Sequence, residues 1–414
     1  MILSYLWSAF FILGLIFIFT KAIFFGEIAL IDSSIKNLFE STKTSVEISI
    51  GLIGIMALFL GFMKIAEKAG VVNYLSRKVN PFFSILFPEI PKNHPVIGTM
   101  MLNFSANFLG LDNAATPFGL KAMEELEEIN TNKGTASNSQ IMFTVLHASG
   151  LTFIPVSIIG YRLEALANNP TDIFLPILIA TSSAALAGII IVSIYQKINL
   201  FKWPFISTIG CLVLFFSGII WLINSFLNVE EVKIFTSLFS NTIIFSLFLI
   251  FIIGGLIRKI NVFDSFIEGA KESFNISVKI IPYLVGMLAA ISILRSSGIL
   301  DLITLGIGNV VEFAGFNSDF VNALPTALMK PISGSGARGL MIETMKTYGA
   351  DSFVGYLACV FQGSSDTTFY ILALYYGSIN TSKTRYSLQA SLLAELVGVI
   401  VAILISYVFY QGIY

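Results

Sequence analysis

The sequence predicts an all-α polytopic membrane protein: two inverted repeats, each of four spans and one re-entrant hairpin, joined by a linker span. Three observations predict it. The 414 residues are 56% hydrophobic and only 12% charged, with a mean hydropathy of +0.85, whereas a soluble domain carries about 25% charged residues. Apolar runs of about 20 residues, enough to cross roughly 30 Å of hydrocarbon, recur along the chain. A shift of 228 places superposes two polar-headed stretches without a gap.

Seven runs read as spans: Leu3 to Phe25, Val46 to Ile65, Ile173 to Tyr195, Trp203 to Ile223, Leu238 to Ile257, Ile276 to Leu294 and Leu388 to Tyr410. The first lacks the basic n-region and the short apolar core of a cleaved signal peptide. Ile141 to Tyr161 and Phe353 to Tyr376 are also long enough, but each carries a polar cluster midway, which brings the total to nine. Two further stretches, Val96 to Met123 and Phe320 to Met345, are too apolar for loops and too broken by Gly, Pro, Asn and Ser for spans. They are expected to be re-entrant hairpins, since irregular backbone at membrane depth must be buried by protein or line a watery cavity. The competing expectation is a pair of interfacial loops.

The repeat sets FESTKTSVEISIGLIGIMALFLGFMKIAEKAGVV (39–72) on IEGAKESFNISVKIIPYLVGMLAAISILRSSGIL (267–300). Glu40, Lys43, Ser45, Ser49 and Gly70 meet Glu268, Lys271, Ser273, Ser277 and Gly298. The chain therefore divides into a first repeat over 1–198, a linker span over 199–232 and a second repeat over 233–414. Five membrane crossings separate equivalent spans, because a hairpin returns to its own side; an odd number inverts the repeats. Lys68, Arg77 and Lys78, Lys197 and Lys202, Arg258 and Lys259, and Lys383 and Arg385 then share one side, with Glu230 and Glu231 opposite. The enrichment of Lys and Arg in cytoplasmic loops puts the N-terminus inside. Lys21 and Arg162 dissent.

Inverted repeats with interrupted helices point to a site at the midplane between them. The first hairpin, NFSANFLGLDNAATPFG, offers Asn103, Ser105, Asn107, Asp112, Asn113 and Thr116. The third span breaks at HASGLTFIP, where His147 precedes Gly150 and Pro155, residues that disfavour continuous helix. The second hairpin, LPTALMKPISGSGARG, supplies Ser333, Ser335 and Arg338, and its following helix, from about Ala337, would aim free N–H groups at an anion or carbonyl. Its GxGxxG lacks a surrounding βαβ pattern and is not read as a dinucleotide site. The eighth span breaks at QGSSDTTF, with Gln362, Ser364, Ser365, Asp366, Thr367 and Thr368. Asp366 and Asp112 are the expected cation-coupling carboxylates, suited to Na+ or H+; the alternative for Asp112, Lys330, Arg338 and Asp366 is internal ion pairing that holds hairpins to spans. Glu124, Glu125, Glu127 and Glu128 are expected on a solvated helix end.

Composition excludes several classes. The net charge of −1 leaves no footprint for nucleic acid. Cys211 and Cys359 lie in apolar segments without metal-ligand neighbours. His94 and His147, the two histidines, stand too far apart in the sequence for HExxH. Ser335 and Ser365 have no histidine base in their own motifs, so no enzyme is expected. No cofactor is expected, and the absence of a P-loop leaves an ion gradient or facilitated movement as the energy source.

At GFMKIAEKAG, NFSANFLGLDNAATPFGLKAM, LPTALMKPISGSGARG and DSFVGYLACVFQGSSDTTFYILALYYGS the chain resembles a known family. Its first half is similar to spore maturation protein A and its second half to spore maturation protein B. Both resemble the wider nucleoside recognition, or Gate-domain, group related to concentrative nucleoside transporters and the membrane part of ferrous iron permeases. The resemblance implies a transporter-like protein of the bacterial inner membrane, of elevator type. The expected partners are a small polar or anionic substrate (nucleoside, amino acid or carboxylate) and membrane lipid, with a homo-oligomer left open. The rival expectation is a non-transporting assembly or developmental factor.

Overall fold

A computed structural model describes residues 2–91, 94–108 and 112–410. Among the described residues the chain is helical, apart from one isolated bridge between Thr135 and Lys383. In order the helices are α1 (Ile2–Phe24), α2 (Ala29–Lys68), α3 (Val71–Leu86), α4 (Pro95–Phe108), α5 (Asp112–Glu128), α6 (Asn138–Ala148), α7 (Val156–Glu164), α8 (Phe174–Gln196) and α9 (Trp203–Phe226). They continue as α10 (Val229–Ile257), α11 (Val262–Ser296), α12 (Ile299–Phe313), α13 (Leu324–Met329), α14 (Gly334–Tyr348), α15 (Phe353–Gly363), α16 (Thr368–Ser378) and α17 (Ser387–Phe409). Seven of these, α1, α2, α8, α9, α10, α11 and α17, are long and apolar enough to cross a membrane. They are the seven spans expected above.

The polar heads of the repeat do not form separate segments: each runs unbroken into its span, so α2 has 40 residues and α11 has 35. At 1.5 Å per residue α2 is roughly 60 Å long, about twice the hydrocarbon thickness. Both long helices stop at a glycine with left-handed backbone, Gly70 at φ 78° and Gly298 at φ 81°. These are the positions that the 228-residue shift superposes, and only glycine adopts that conformation freely. Their matched serines, Ser45 and Ser49 against Ser273 and Ser277, are buried in both copies.

The chain forms two compact units. The first comprises 1–57, 157–170 and 271–362, and the second 58–156, 171–270 and 363–414. In the first, Met287, Ile291 and Leu294 of α11 pack with Met329 and with Ala337 and Leu340 of α14. Arg162, at the end of α7, is fully buried there. It donates to the Ala350 carbonyl at 2.8 Å and lies 3.5 Å from the Asp351 carboxylate. Its dissent from the loop-charge pattern has this cause: the guanidinium is a structural clamp, not a solvated loop charge.

The second unit is built on α8 and α17. Ala180, Ala184 and Gly188 recur every four residues on α8, as do Ala390, Ala394 and Gly398 on α17, and all six are buried. Small residues at this spacing let two membrane helices approach backbone to backbone. A β-carbon on Gly398 would lie 3.0 Å from the Ala184 methyl and 3.2 Å from the Ser364 carbonyl oxygen. The acidic run is not uniformly solvated as expected: Glu124 and Glu128 are exposed, but Glu125 and Glu127 are half-buried. Glu127 accepts from Asn130 at 2.9 Å and Gln140 at 2.8 Å, which orders the polar loop before α6.

Replacing Gly398 by Ile overfills this seam and should cost about 1–3 kcal/mol. Gly218→Ile on α9, where no atom lies within 4 Å of the place a β-carbon would take, should change little. Thermal unfolding of the two variants in detergent micelles checks the contrast.

Candidate functional site

In the second unit two helix interruptions meet. The first separates α6 from α7 between Ser149 and Pro155; the second separates α15 from α16 between Ser364 and Thr367. Both lie where the sequence placed them. An interrupted helix leaves backbone groups unpaired, and here each break serves the other. The Asp366 N–H donates to the Ala148 carbonyl at 2.9 Å. The Thr181 hydroxyl of α8 bonds the Gly150 carbonyl at 2.8 Å and reaches the Ser149 carbonyl at 3.2 Å. The Phe153 N–H donates to the Phe108 carbonyl at the end of α4, 2.8 Å away. Gly150 has φ +60°, and a β-carbon there would sit 2.6 Å from the Asp366 nitrogen. Glycine is therefore required twice, for its conformation and for the closeness of the second break.

His147, on the last turn of α6, is the centre of a polar cluster. Its Nδ1 lies 2.7 Å from the Tyr375 hydroxyl, 3.0 Å from the Asn107 amide nitrogen and 3.2 Å from Asn103 Oδ1. Nδ1 can accept from Asn107 or Tyr375, or in the other tautomer donate to Asn103. Its Nε2 is 3.7 Å from Asp366 Oδ2. The imidazole is 5% exposed and the Asp366 side chain 43% exposed, so a buried ring faces a half-exposed carboxylate. Asn103 also donates to the Ala115 carbonyl at 2.7 Å, tying α4 to α5.

The hydroxyls of the second break turn elsewhere. Ser365 and Thr368 donate to the two carboxylate oxygens of Glu395, at 3.0 and 2.9 Å. Glu395 is 4% exposed and stands mid-way along α17. It and Tyr375 were not among the residues expected. The signal for Glu395 was a lone carboxylate inside a 23-residue apolar helix; Tyr375 carried no signal separating it from packing aromatics.

The remaining expected residues are distributed as follows. Ser105, Ser364 and Thr367 are buried in the second unit, and Thr116 is half-buried. The side chains of Asp112 and Asn113 lie outside the described residues. Ser333, Ser335, Arg338 and Gln362 belong to the first unit. There α14 begins at Gly334, not near Ala337 as expected, because Ser333 caps it by accepting from the Gly336 N–H at 3.0 Å. The Gln362 amide reaches the Gly334 carbonyl at 3.5 Å, and Arg338 lies over the Tyr161 ring at 5.6 Å. A cavity of about 280 Å3 in that unit, lined by Asp301, Thr304, Asn309, Glu312, Ser318 and Asn322 among others, includes none of the expected residues.

Long apolar helices together with paired, polar-lined interruptions define a multi-pass helical membrane protein. The profile of the Gate family, described as "Nucleoside recognition", matches residues 49–162 and 277–382, more than half of the chain. The chain belongs to this family. The two matches begin 228 residues apart. The first half is similar to spore maturation protein A of Bacillus subtilis (strain 168), 38% identical over 186 residues that span 45% of this chain and 91% of that protein. The second half is similar to spore maturation protein B of the same organism, 45% identical over 151 residues that span 36% of this chain and 83% of that protein. No solved structure matches the chain.

Gly150→Ala should disrupt the meeting of the breaks, costing about 1–3 kcal/mol for the backbone strain alone. Limited proteolysis in detergent should show faster cleavage between Ser149 and Pro155 than in the parent protein.

Proposed function

We propose that the chain is a secondary transporter, of elevator type, that moves a small polar or anionic metabolite such as a nucleoside, amino acid or carboxylate with coupling to Na+ or H+. One observation carries this reading: two interrupted helices meet at their interruptions and gather His147, Asn103, Asn107 and Asp366 there. Broken helices at the midplane, with polar side chains around them, are how membrane transporters hold substrate and coupling ion. In this reading Asn103, Ser105, Asn107, Asn113, Thr116 and His147 bind substrate from the first half of the chain. Ser333, Ser335, Arg338, Gln362, Ser364, Ser365, Thr367 and Thr368 do so from the second half, and Asp366 and Asp112 serve coupling. It includes no catalytic role.

The reading also takes the repeats as inverted and α4–α5 and α13–α14 as re-entrant hairpins in a bacterial inner membrane, with the N-terminus cytoplasmic. Contacts between distant segments support that parity. Ala136 and Lys383 pair through their backbones, and Lys68 pairs with Glu268, which requires each couple to share a face. Arg162 with Ala350, and Asn37 with Ser296, likewise couple segments that the parity assigns to the opposite face. The two glycines at Gly70 and Gly298 support the repeat.

The second reading, a non-transporting assembly or developmental factor, is favoured by the names of the relatives, which refer to spore maturation. Ligand binding separates the two. A ligand that prefers the folded state raises apparent stability, so a thermal-shift screen against metabolites with and without Na+ should find an ion-dependent stabiliser. Asp366→Asn should fold normally and lose that ion dependence, whereas Glu124→Gln should keep it. Retention of full ion dependence in Asp366→Asn would make the carboxylate structural. Reporter cysteines at Asn199 and Asn228, which flank α9, should label from opposite sides of the membrane; same-side labelling would end the parity argument.

A further inference from the structure

The first unit holds three arginines, and two of them have carboxylates. Arg162 lies 3.5 Å from Asp351, and Arg295 lies 3.1 Å from Glu343. The third, Arg338, is half-buried on α14 and lies over the Tyr161 ring; among the described residues no carboxylate comes within ion-pair distance of it. A guanidinium cannot shed its charge, and in a hairpin at membrane depth such a charge needs a partner. Other open groups stand at the same end of α14. Ser333 takes the Gly336 N–H on its hydroxyl and the Ala337 N–H on its carbonyl, which leaves the N–H groups of Gly334 and Ser335 open at the first turn. Arg338 follows Gly334 by four residues, so it shares that face and leans back toward this turn. The Gln362 side chain, 6% exposed, ends against the same turn, its amide nitrogen 3.5 Å from the Gly334 carbonyl. Its Oε1 is buried without a hydrogen-bond partner. These groups make two different demands. The guanidinium, the two N–H groups and the Ser335 hydroxyl suit an oxyanion, whereas Gln362 Oε1 can only accept and so calls for a donor. A carboxylate with a hydroxyl or amino group close by meets both. An uncharged nucleoside leaves the guanidinium unmatched, and a bare anion leaves Oε1 unmatched.

We propose that the start of α14 binds a small hydroxy or amino acid, with Arg338 and the first-turn N–H groups on its carboxylate and Gln362 on the neighbouring donor. That this acid is the cargo rests on the transport reading; its binding does not. The proposal narrows the substrate class from polar or anionic metabolites to carboxylates that carry their own hydrogen-bond donor.

Thermal shift of the full-length protein in detergent micelles tests binding, with L-lactate, L-malate, L-alanine and L-glutamate as probes, each beside its uncharged amide. At least one acid should stabilise the protein where its amide does not. Arg338→Gln should raise the Kd of that acid about tenfold or more. Gln362→Leu should remove the preference for that acid over the analogue lacking its hydroxyl or amino group. Arg338→Lys, which keeps a charge without the planar fork, should bind with intermediate strength and serves if the Gln variant does not fold. Equal stabilisation by acid and amide, undiminished binding in Arg338→Gln, or no stabilisation by any of these acids would overturn the proposal. So would stabilisation by phosphatidylglycerol alone, since a lipid headgroup would then fill the cradle. Acid binding without uptake into proteoliposomes would remove the transport reading and leave the carboxylate site standing. Uptake of uridine at equal rates by the parent and Arg338→Gln would do the reverse.

Discussion

A backbone N–H or C=O left unpaired in hydrocarbon costs several kcal/mol, about 2–7 by transfer measurements. A helix that stops short leaves several such groups open at its end. The second unit meets that constraint by bringing two stopped helices together, so that the Asp366 N–H closes on the Ala148 carbonyl and Thr181 covers the carbonyls of Ser149 and Gly150. Much else follows from it. Gly150 must be glycine for the breaks to touch. The alanine and glycine seam between α8 and α17 brings Thr181 and Glu395 close enough to reach them. Burial of those seam residues is thus as much a requirement of the polar centre as of the apolar packing around it.

Once the backbone is satisfied, side chains are free to carry chemistry. His147, Asn103, Asn107 and Tyr375 form one hydrogen-bonded group, and Ser365, Thr368 and Glu395 form another, with Asp366 chemically between them. Each group contains hydroxyls or an imidazole that can exchange donor and acceptor roles, a property that fixed ion pairs such as Arg162 with Asp351 lack. The contrast separates the polar residues of the two kinds. Arg162 donates to the Ala350 and Asn169 carbonyls and its charge is fixed, which suits a clamp. The hydroxyls and the imidazole around the breaks can exchange donor and acceptor roles, which a guanidinium cannot.

The sequence made most of this architecture legible, and the gaps have physical causes. Seven spans and both interruptions were readable because hydropathy sums over 20 residues and because Gly, Pro and consecutive polar residues punctuate an apolar run. His147 and Asp366 were readable as polar groups beside those punctuation marks. Glu395 was not, since one carboxylate among 23 residues barely lowers the mean hydropathy of α17, and the averaging that finds a span hides what the span contains. Tyr375 was hidden by the opposite effect: an aromatic side chain reads as packing whether or not its hydroxyl has a partner. The start of α14 was misplaced because glycines at 334 and 336 argue against helix, while the Ser333 cap that offsets them acts locally.

The pairing of the two breaks also has a meaning in time. Tyr375 lies 228 residues after His147, and the stretch of backbone that covers Ala148 leaves the ribosome nearly as late. At about 5–20 residues per second of synthesis, the first break waits roughly 10–45 s for its complement. During that interval the Ala148 carbonyl needs another partner, and water is one that can serve. The first half of the chain is thus an unfinished object until the second half arrives, and the order of translation, as well as the final free energy, shapes how this fold is reached.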